Sequence, residues 1–315
     1  MALTRRHDVG MEPQEDRVAR PPATIYRQRV ERAVAHVTTH LAEDLTLTRV
    51  AAAADVSPFH FHRLFRGMGG EALAAFTRRL RLERAAHALR DTDRPIVDVA
   101  ASVGYEAQES FTRAFKTAYG QAPGSYRRDP SREPALSTPN GVHAFADGSF
   151  SPFRPIPSLE IPMTVIVKRL EGRSTLRIRH VGPYTECGRA WEQLMSYAGR
   201  KRLLGPNVMC FGLCYDDPES TPPEEIRYDA CIDVPEGLAV EPPFEVVQFE
   251  GGEYAATLHA GPYERLAETY QRLYGEWLPQ SGRELREAPC VEVYQNSPQD
   301  TRPEDLRTDV FVPLK

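Results

Sequence analysis

The chain has 315 residues, 41% hydrophobic and 26% charged, enough for two domains with separate cores. Its longest apolar runs fall well short of the ~18–20 residues a bilayer span needs, which excludes a membrane protein of the helical kind. The net charge of −5 hides an asymmetry: residues 24–130 carry 16 Lys and Arg against 12 Asp and Glu, while residues 161–315 carry 17 against 25. The first half therefore leans toward a polyanionic partner and the second away from one.

The opening stretch "MALTRRHDVGMEPQEDRVARPP" lacks the apolar centre of a secretory signal, so residues 1–23 are expected to be a polar, disordered tail. The five cysteines are odd in number and all lie in the C-terminal half, which reads as reduced thiols in a cytoplasmic protein.

From residue 24 to 130 the texture is helical. "IYRQRVERAVAHVTTHL" spaces Ile25, Val30, Val34, Val37 and Leu41 along one helix face. In "LTLTRVAAAADVSPFHFHRLFRGMGG" a small-residue helix leads into a turn at Asp55-Val56. Ser57 then stands as N-cap and Pro58 at the first helical position. The next helix would bury Phe61, Leu64 and Phe65 and leave Phe59, His62, Arg63 and Arg66 outward. The same order returns in "RPIVDVAASVGYEAQESFTRAFKTAYGQAPGSYRR". There the turn is Gly104-Tyr105, and a helix buries Phe111, Ala114 and Phe115 while exposing Gln108, Glu109, Ser110, Arg113 and Lys116. A short helix, a tight turn and a second helix with polar residues near its start is the helix-turn-helix pattern, here present twice.

Residues 131–160 are dense in Pro, Ser and Gly without either hydrophobic period, the composition of a mobile linker. Beyond it, strands alternate with helices. "MTVIVKRL", "TLRIRHV", "NVMCFGLCY" and "RYDACIDVP" read as strands around a helix that buries Trp191, Leu194, Met195 and Ala198. The order then repeats: "FEVVQFE", "EYAATLH", a helix carrying Leu266, Tyr270, Leu273, Tyr274 and Trp277, "CVEVYQ" and "LRTDVFVP". Sliding the region by 79 residues superposes His180-x-Gly-Pro-Tyr184 on His259-x-Gly-Pro-Tyr263, and it sets Glu292 against Leu213. The fold expected is an all-α double helix-turn-helix domain followed by an α+β domain of two pseudo-symmetric ββαββ repeats.

Weaker constellations fall away. His36 and His40 lack a third ligand nearby. Cys210 and Cys214 on one strand are too far apart to chelate, and no phosphate-loop, nucleophile-elbow or zinc-protease pattern occurs. No metal and no cofactor are expected. The paired histidines precede equivalent turns, which favours a fold role.

The stretches "LTLTRVAAAADVSPFHFHRLFR", "RLRLERAAHAL" and "IVDVAASVGYEAQESFTRAFKTAYGQAPGSYR" resemble the AraC/XylS family of bacterial transcription regulators over about 105 residues. The resemblance implies two recognition helices entering adjacent major-groove turns of promoter DNA, with the helix around Ala75 to Ala88 setting their spacing, two half-sites about 34 Å apart. It assigns Phe59, His62 and Arg63 to the first recognition helix and Gln108, Glu109, Ser110 and Arg113 to the second. Arg66, Lys116, Arg127 and Arg128 fall to phosphates. Glu109 departs from the pattern, since an anion repels phosphate. The resemblance further implies an activator that contacts RNA polymerase.

Residues 161–315, with "HAGPY", "DACIDVP", "PCVEVYQ" and "LRTDVFVPLK", resemble the GyrI-like (SHS2-type) effector-binding domain. That resemblance implies a cleft between the repeats for a bulky apolar or cationic small molecule, with Glu292 as counter-charge. Alternation sets Glu292 and Tyr294 on one strand face. Trp191, Tyr263 and Tyr270, with Phe244 and Tyr254, are candidate walls. The protein is expected to be no enzyme. The alternatives are a hydrolase using Glu292 and Tyr294, and a protein-docking module without a small ligand.

Overall fold

The computed structural model describes residues 24–129, 131–157, 163–205 and 208–315, so the expected N-terminal tail lies outside the described residues. Helix α1 (Thr24–Thr39) places Tyr26, Val30, Ala33, Val34 and Val37 in the core, and α2 (Leu47–Ala53) starts where the Thr46 hydroxyl accepts from the Arg49 backbone amide. Helix α3 (Pro58–Gly69) follows with Pro58 in its first turn and ends on Gly70 at a left-handed φ of 76°. Ser57 occupies the N-cap position, but its side chain makes no capping bond. The long connecting helix α4 (Leu73–Asp91) carries on into α5 (Ile96–Ser102), α6 (Gln108–Tyr119) and α7 (Pro123–Arg127). These close a second small core of Leu82, Ala85, Leu89, Val99, Val103, Phe111, Phe115 and Tyr126. Both helix-turn-helix units stand where the hydrophobic spacing placed them.

The segment expected to be a mobile linker is instead laid against α4 over its described residues. The buried carboxylate of Glu83 accepts from the backbone amides of Leu136 and Ala144, at 3.0 and 2.9 Å, and pairs with Arg79. Arg79 also donates to the Val142 carbonyl, and Val142, Ala144 and Phe153 are buried. Proline and serine remove the periodicity of a helix or strand, yet these three hydrogen bonds and the buried side chains tie such a segment down.

Strands β1 (Ile166–Leu170), β2 (Arg173–Val181), β3 (Cys210–Cys214), β4 (Arg227–Asp233), β5 (Phe244–Phe249), β6 (Gly252–Ala260), β7 (Cys290–Tyr294) and β8 (Arg307–Leu314) form one antiparallel eight-stranded sheet. Its order is β1-β6-β8-β7-β3-β4-β2-β5. Helix α8 (Gly188–Arg200) belongs to the first repeat. In the second, α9 (Leu266–Arg272) runs through a π-helical stretch, Leu273–Trp277, into α10 (Leu278–Ser281). The repeats exchange their first strands: β1 pairs with β6 of the second repeat and β5 with β2 of the first. The sheet curls until its edges approach, for only Glu171 and Gly172 lead from the edge strand β1 into β2, which is paired with the other edge strand, β5. Leu170, Phe211, Phe249, Tyr254 and Phe311 fill the face away from the helices. Tyr254, a candidate wall of the ligand cleft, is therefore on the wrong side of the sheet. Met195, expected to be buried, is exposed, and Tyr197 takes the buried position on α8.

The His-x-Gly-Pro-Tyr turns serve the fold. His180 and His259 each place Nε2 against the carbonyl of the proline that follows, Pro183 at 3.0 Å and Pro262 at 3.1 Å. Gly182 and Gly261 take φ values of 142° and 124°, which favour glycine.

One hydrophobic core runs from α1, α2 and α3 through Tyr270, Leu273, Tyr274 and Leu278 to the helix side of the sheet. The first helix-turn-helix unit is thereby packed on the second repeat, whereas the α5–α7 unit has its own core.

Candidate functional site

The two repeats meet along β3 and β7, where Gly212 is paired directly with Glu292. The β2 and β6 ranges are offset by 79 residues, but β3 and β7, and β4 and β8, are offset by 80. The position equivalent to Glu292 is therefore Gly212, and Leu213, paired with Val291, faces the opposite side. Glycine at 212 leaves room for the Tyr228 ring, whose hydroxyl would collide with any Cβ there.

Glu292 is 7% exposed and accepts from two phenols, the Tyr270 hydroxyl on Oε1 and the Tyr294 hydroxyl on Oε2, both at 2.9 Å. Tyr294 in turn lies 3.0 Å from the Tyr228 hydroxyl, which accepts from Trp191 Nε1 at 2.8 Å. With the Tyr294 proton given to Glu292, the chain runs in one direction, from indole through Tyr228 and Tyr294 to the carboxylate. Burial, and then the charge of Glu292, push the Tyr270 and Tyr294 hydroxyls far above the ordinary phenol range, so both remain donors. Trp191 and Tyr263 stand edge-on to Tyr294, with ring centres 5.5 and 5.6 Å away. Glu292, Tyr294, Tyr270, Tyr263 and Trp191 are thus brought together. Phe244 stacks on Tyr197 instead, and Tyr228 is a member that the sequence reading missed. Its signal was the glycine interrupting an otherwise bulky strand.

The DNA-facing candidates divide. Gln108, Glu109, Ser110, Arg113 and Lys116 are all exposed along α6. On α3, His62 and Arg63 are buried at 2% and 8%, against the C-terminal domain; in this arrangement they are not the free outward face expected of them. Gly67 of α3 and Gly275 of the π-helical stretch touch backbone to backbone, and a Cβ on Gly275 would strike the Gly67 carbonyl. Arg63 Nη1 donates to Cys290 Sγ at 3.2 Å and Nη2 to the Asp216 carbonyl at 3.1 Å, while the guanidinium lies over the Tyr270 ring, 4.4 Å from its centre. His62 Nδ1 donates to Asp217 Oδ2 at 3.0 Å, Arg66 pairs with Glu219, and Phe59 lies under the Arg227 guanidinium. Burial works to raise the Asp217 carboxyl, but the His62 bond and the Arg63 charge outweigh it and hold it below its ordinary range.

His60 is enclosed as well. Its Nε2 lies 3.0 Å from the Arg286 carbonyl, which only accepts, so Nδ1 accepts from the Tyr274 hydroxyl at 2.7 Å. Burial, reinforced by the charge of Arg63, pushes this imidazole down to about 4. His62, Asp217 and Glu219 bring three potential metal-ligand atoms within 4.8 Å of one another. Arg63 and Arg66 already stand beside those carboxylates, so a guanidinium supplies the positive charge a metal would bring. A cavity of about 650 Å³ lies elsewhere, between the β1–β6 edge and α9, lined by Met163, Leu258, His259, Arg265 and Phe311. At Glu292 the cleft is filled by the aromatic rings and, beyond Tyr270, by Arg63.

Residues 163–315 match the GyrI-like small molecule binding domain, and residues 50–129 match a helix-turn-helix domain. The chain is 27% identical over 284 residues to the right origin-binding protein of Escherichia coli K12, covering 88% of this chain and 94% of that protein. It is 26% identical over 288 residues to the transcriptional regulator Rob of Salmonella typhimurium, with the same coverage of each. Over 106 residues it is 37% identical to the probable transcriptional regulator YgiV of Escherichia coli K12, 33% of this chain and 66% of that one. Among the described residues no helix is long and apolar enough to cross a membrane. The chain belongs to the AraC-type helix-turn-helix transcription regulators that carry a C-terminal GyrI-like small-molecule-binding domain.

Proposed function

We propose that the C-terminal domain, residues 161–315, takes up a bulky apolar cation at Glu292 and so governs binding of residues 24–130 to promoter DNA. The observation that carries this reading is Glu292 itself. Among the described residues it pairs with tyrosine hydroxyls and with no arginine or lysine, although a buried carboxylate is costly without compensation. A carboxylate beneath Tyr270, Tyr294, Tyr263 and Trp191 joins a negative charge to aromatic faces, the two features that attract an organic cation. The symmetry of the fold demands no charge there, since the first repeat has Gly212.

On DNA, the exposed face of α6 supplies Gln108, Ser110 and Arg113 for base edges and Lys116 for phosphate, with Glu109 limiting the number of contacts. α3 supplies Phe59, His62, Arg63 and Arg66 once it is free, so that two adjacent half-sites are read. Activation through contact with RNA polymerase, in the cytoplasm, is the role the AraC-type resemblance implies. Hydrolysis fits less well: both oxygens of Glu292 accept from phenols, and the Tyr294 proton is already committed to it.

Calorimetric titration of the full chain with tetraphenylphosphonium tests the ligand reading. Glu292→Gln should weaken binding at least about tenfold, or ~1.4 kcal/mol. The neutral triphenylphosphine oxide should bind worse than the cation. Equal affinity of the two proteins for the cation would remove Glu292 from the site.

A further inference from the structure

The helix that would read DNA is held by the domain that would bind the ligand, and among the side chains it buries there is a cation, Arg63. We propose that Arg63 is an internal counterpart of the effector: its guanidinium occupies the aromatic face at Tyr270, and a ligand cation at Glu292 expels it and frees α3. This inference rests on the ligand reading above and adds how that site is coupled to DNA.

Arg63 and Glu292 meet at one tyrosine. The Tyr270 ring carries the guanidinium, and its hydroxyl holds the carboxylate. Arg63 also donates to Cys290, two residues before Glu292 on the same face of β7. A planar cation over an aromatic ring beside a carboxylate is the chemistry expected of the ligand, supplied here by the protein's own chain. A second cation drawn to the same phenol ring and the same local negative charge must displace Arg63 or accept like-charge repulsion from it.

Arg63 cannot withdraw alone. It sits on a helix whose backbone touches Gly275, and whose neighbouring side chains are tied by His60–Tyr274, His62–Asp217 and Arg66–Glu219. Displacing the guanidinium therefore loosens a set of contacts that join α3 to the effector domain. DNA makes the same demand from the other side, because His62 and Arg63 cannot lie in a groove while they are buried at 2% and 8%. Ligand and DNA each favour the state in which α3 is released, so each raises affinity for the other, reciprocally. The α6 unit, with its own core and an exposed face, stays available throughout. The closed form is thus a reader with one of its two hands held.

The test uses the full chain, with tetraphenylphosphonium as probe, by calorimetry and by hydrogen–deuterium exchange across residues 58–69. Arg63→Ala should bind the cation about tenfold more tightly than wild type, because the competitor is gone. Saturating cation should accelerate exchange of α3 in wild type. Asp217→Asn and Gly275→Leu alter only the effector side of the contact, and both should accelerate α3 exchange without ligand. Binding by Arg63→Ala where wild type binds too weakly to measure also supports the proposal. It is overturned if wild type and Arg63→Ala bind the cation equally and α3 keeps its protection when the site is full; the ligand reading would then stand. If neither protein binds the cation, the ligand reading fails, and this coupling fails with it.

Discussion

Gly212 and Glu292 face each other across β3 and β7, and the difference between them makes the proposed site. At Gly212 the missing Cβ admits Tyr228, and Tyr228 relays the Trp191 indole to Tyr294 and on to the carboxylate. Gly212→Ala should therefore displace Tyr228, lower stability by ~1–3 kcal/mol in thermal unfolding, and weaken cation binding. Unchanged stability and affinity would show that the ring has room to move aside. Glu292 was legible in the sequence because it breaks the likeness between two copies, but the residue it was compared with was wrong. One extra residue before β7 changes the offset from 79 to 80, and in a strand a slip of one residue reverses the face. Tyr228 could not be recovered from alternation alone, since its meaning depends on a glycine on the neighbouring strand.

At the scale of elements, α3 carries both what was legible and what was not. Its start at Pro58, its end at Gly70 and the burial of Phe61, Leu64 and Phe65 follow from local spacing and turn chemistry. Its contact with the π-helical stretch joins residues more than 200 positions apart, such as His60 and Tyr274, and no local pattern announces it. The exchange of β1 and β5 between repeats was hidden for the same reason: each unit reads correctly as ββαββ, and pairing is decided in three dimensions. The contact should respond to acid. His60, faced by Tyr274, Arg63 and the Arg286 backbone, is held down to about 4, and on a released helix it returns toward ~6.5. The closed state is then fully supported above about 6.5 and loses support as the pH falls toward 4, by on the order of 3 kcal/mol. Asp217, held below the ordinary carboxylate range, gives up its share only at lower pH. Exchange of α3, corrected for intrinsic rates, should rise between pH 7.5 and 5, and His60→Gln should flatten that rise. An equal acid response in the variant would assign it to other groups.

For the whole molecule, a helical first half and a second half of alternating strands and helices were both legible in the texture of the sequence. Composition could not show that the intervening segment is strapped to α4 by Glu83, nor that one core joins the first helix-turn-helix unit to the second repeat. The two halves differ in pattern and are continuous in packing, and under the proposal above that continuity lets a small molecule govern α3. The most direct test is the affinity of the full chain for a duplex that it enriches from a random-sequence pool, measured by fluorescence anisotropy at fixed salt. Saturating tetraphenylphosphonium should tighten binding at least about tenfold in wild type, ~1.4 kcal/mol of coupling, and leave Glu292→Gln unchanged. Identical affinity with and without the cation, in a protein whose site is shown to be full, would contradict the account.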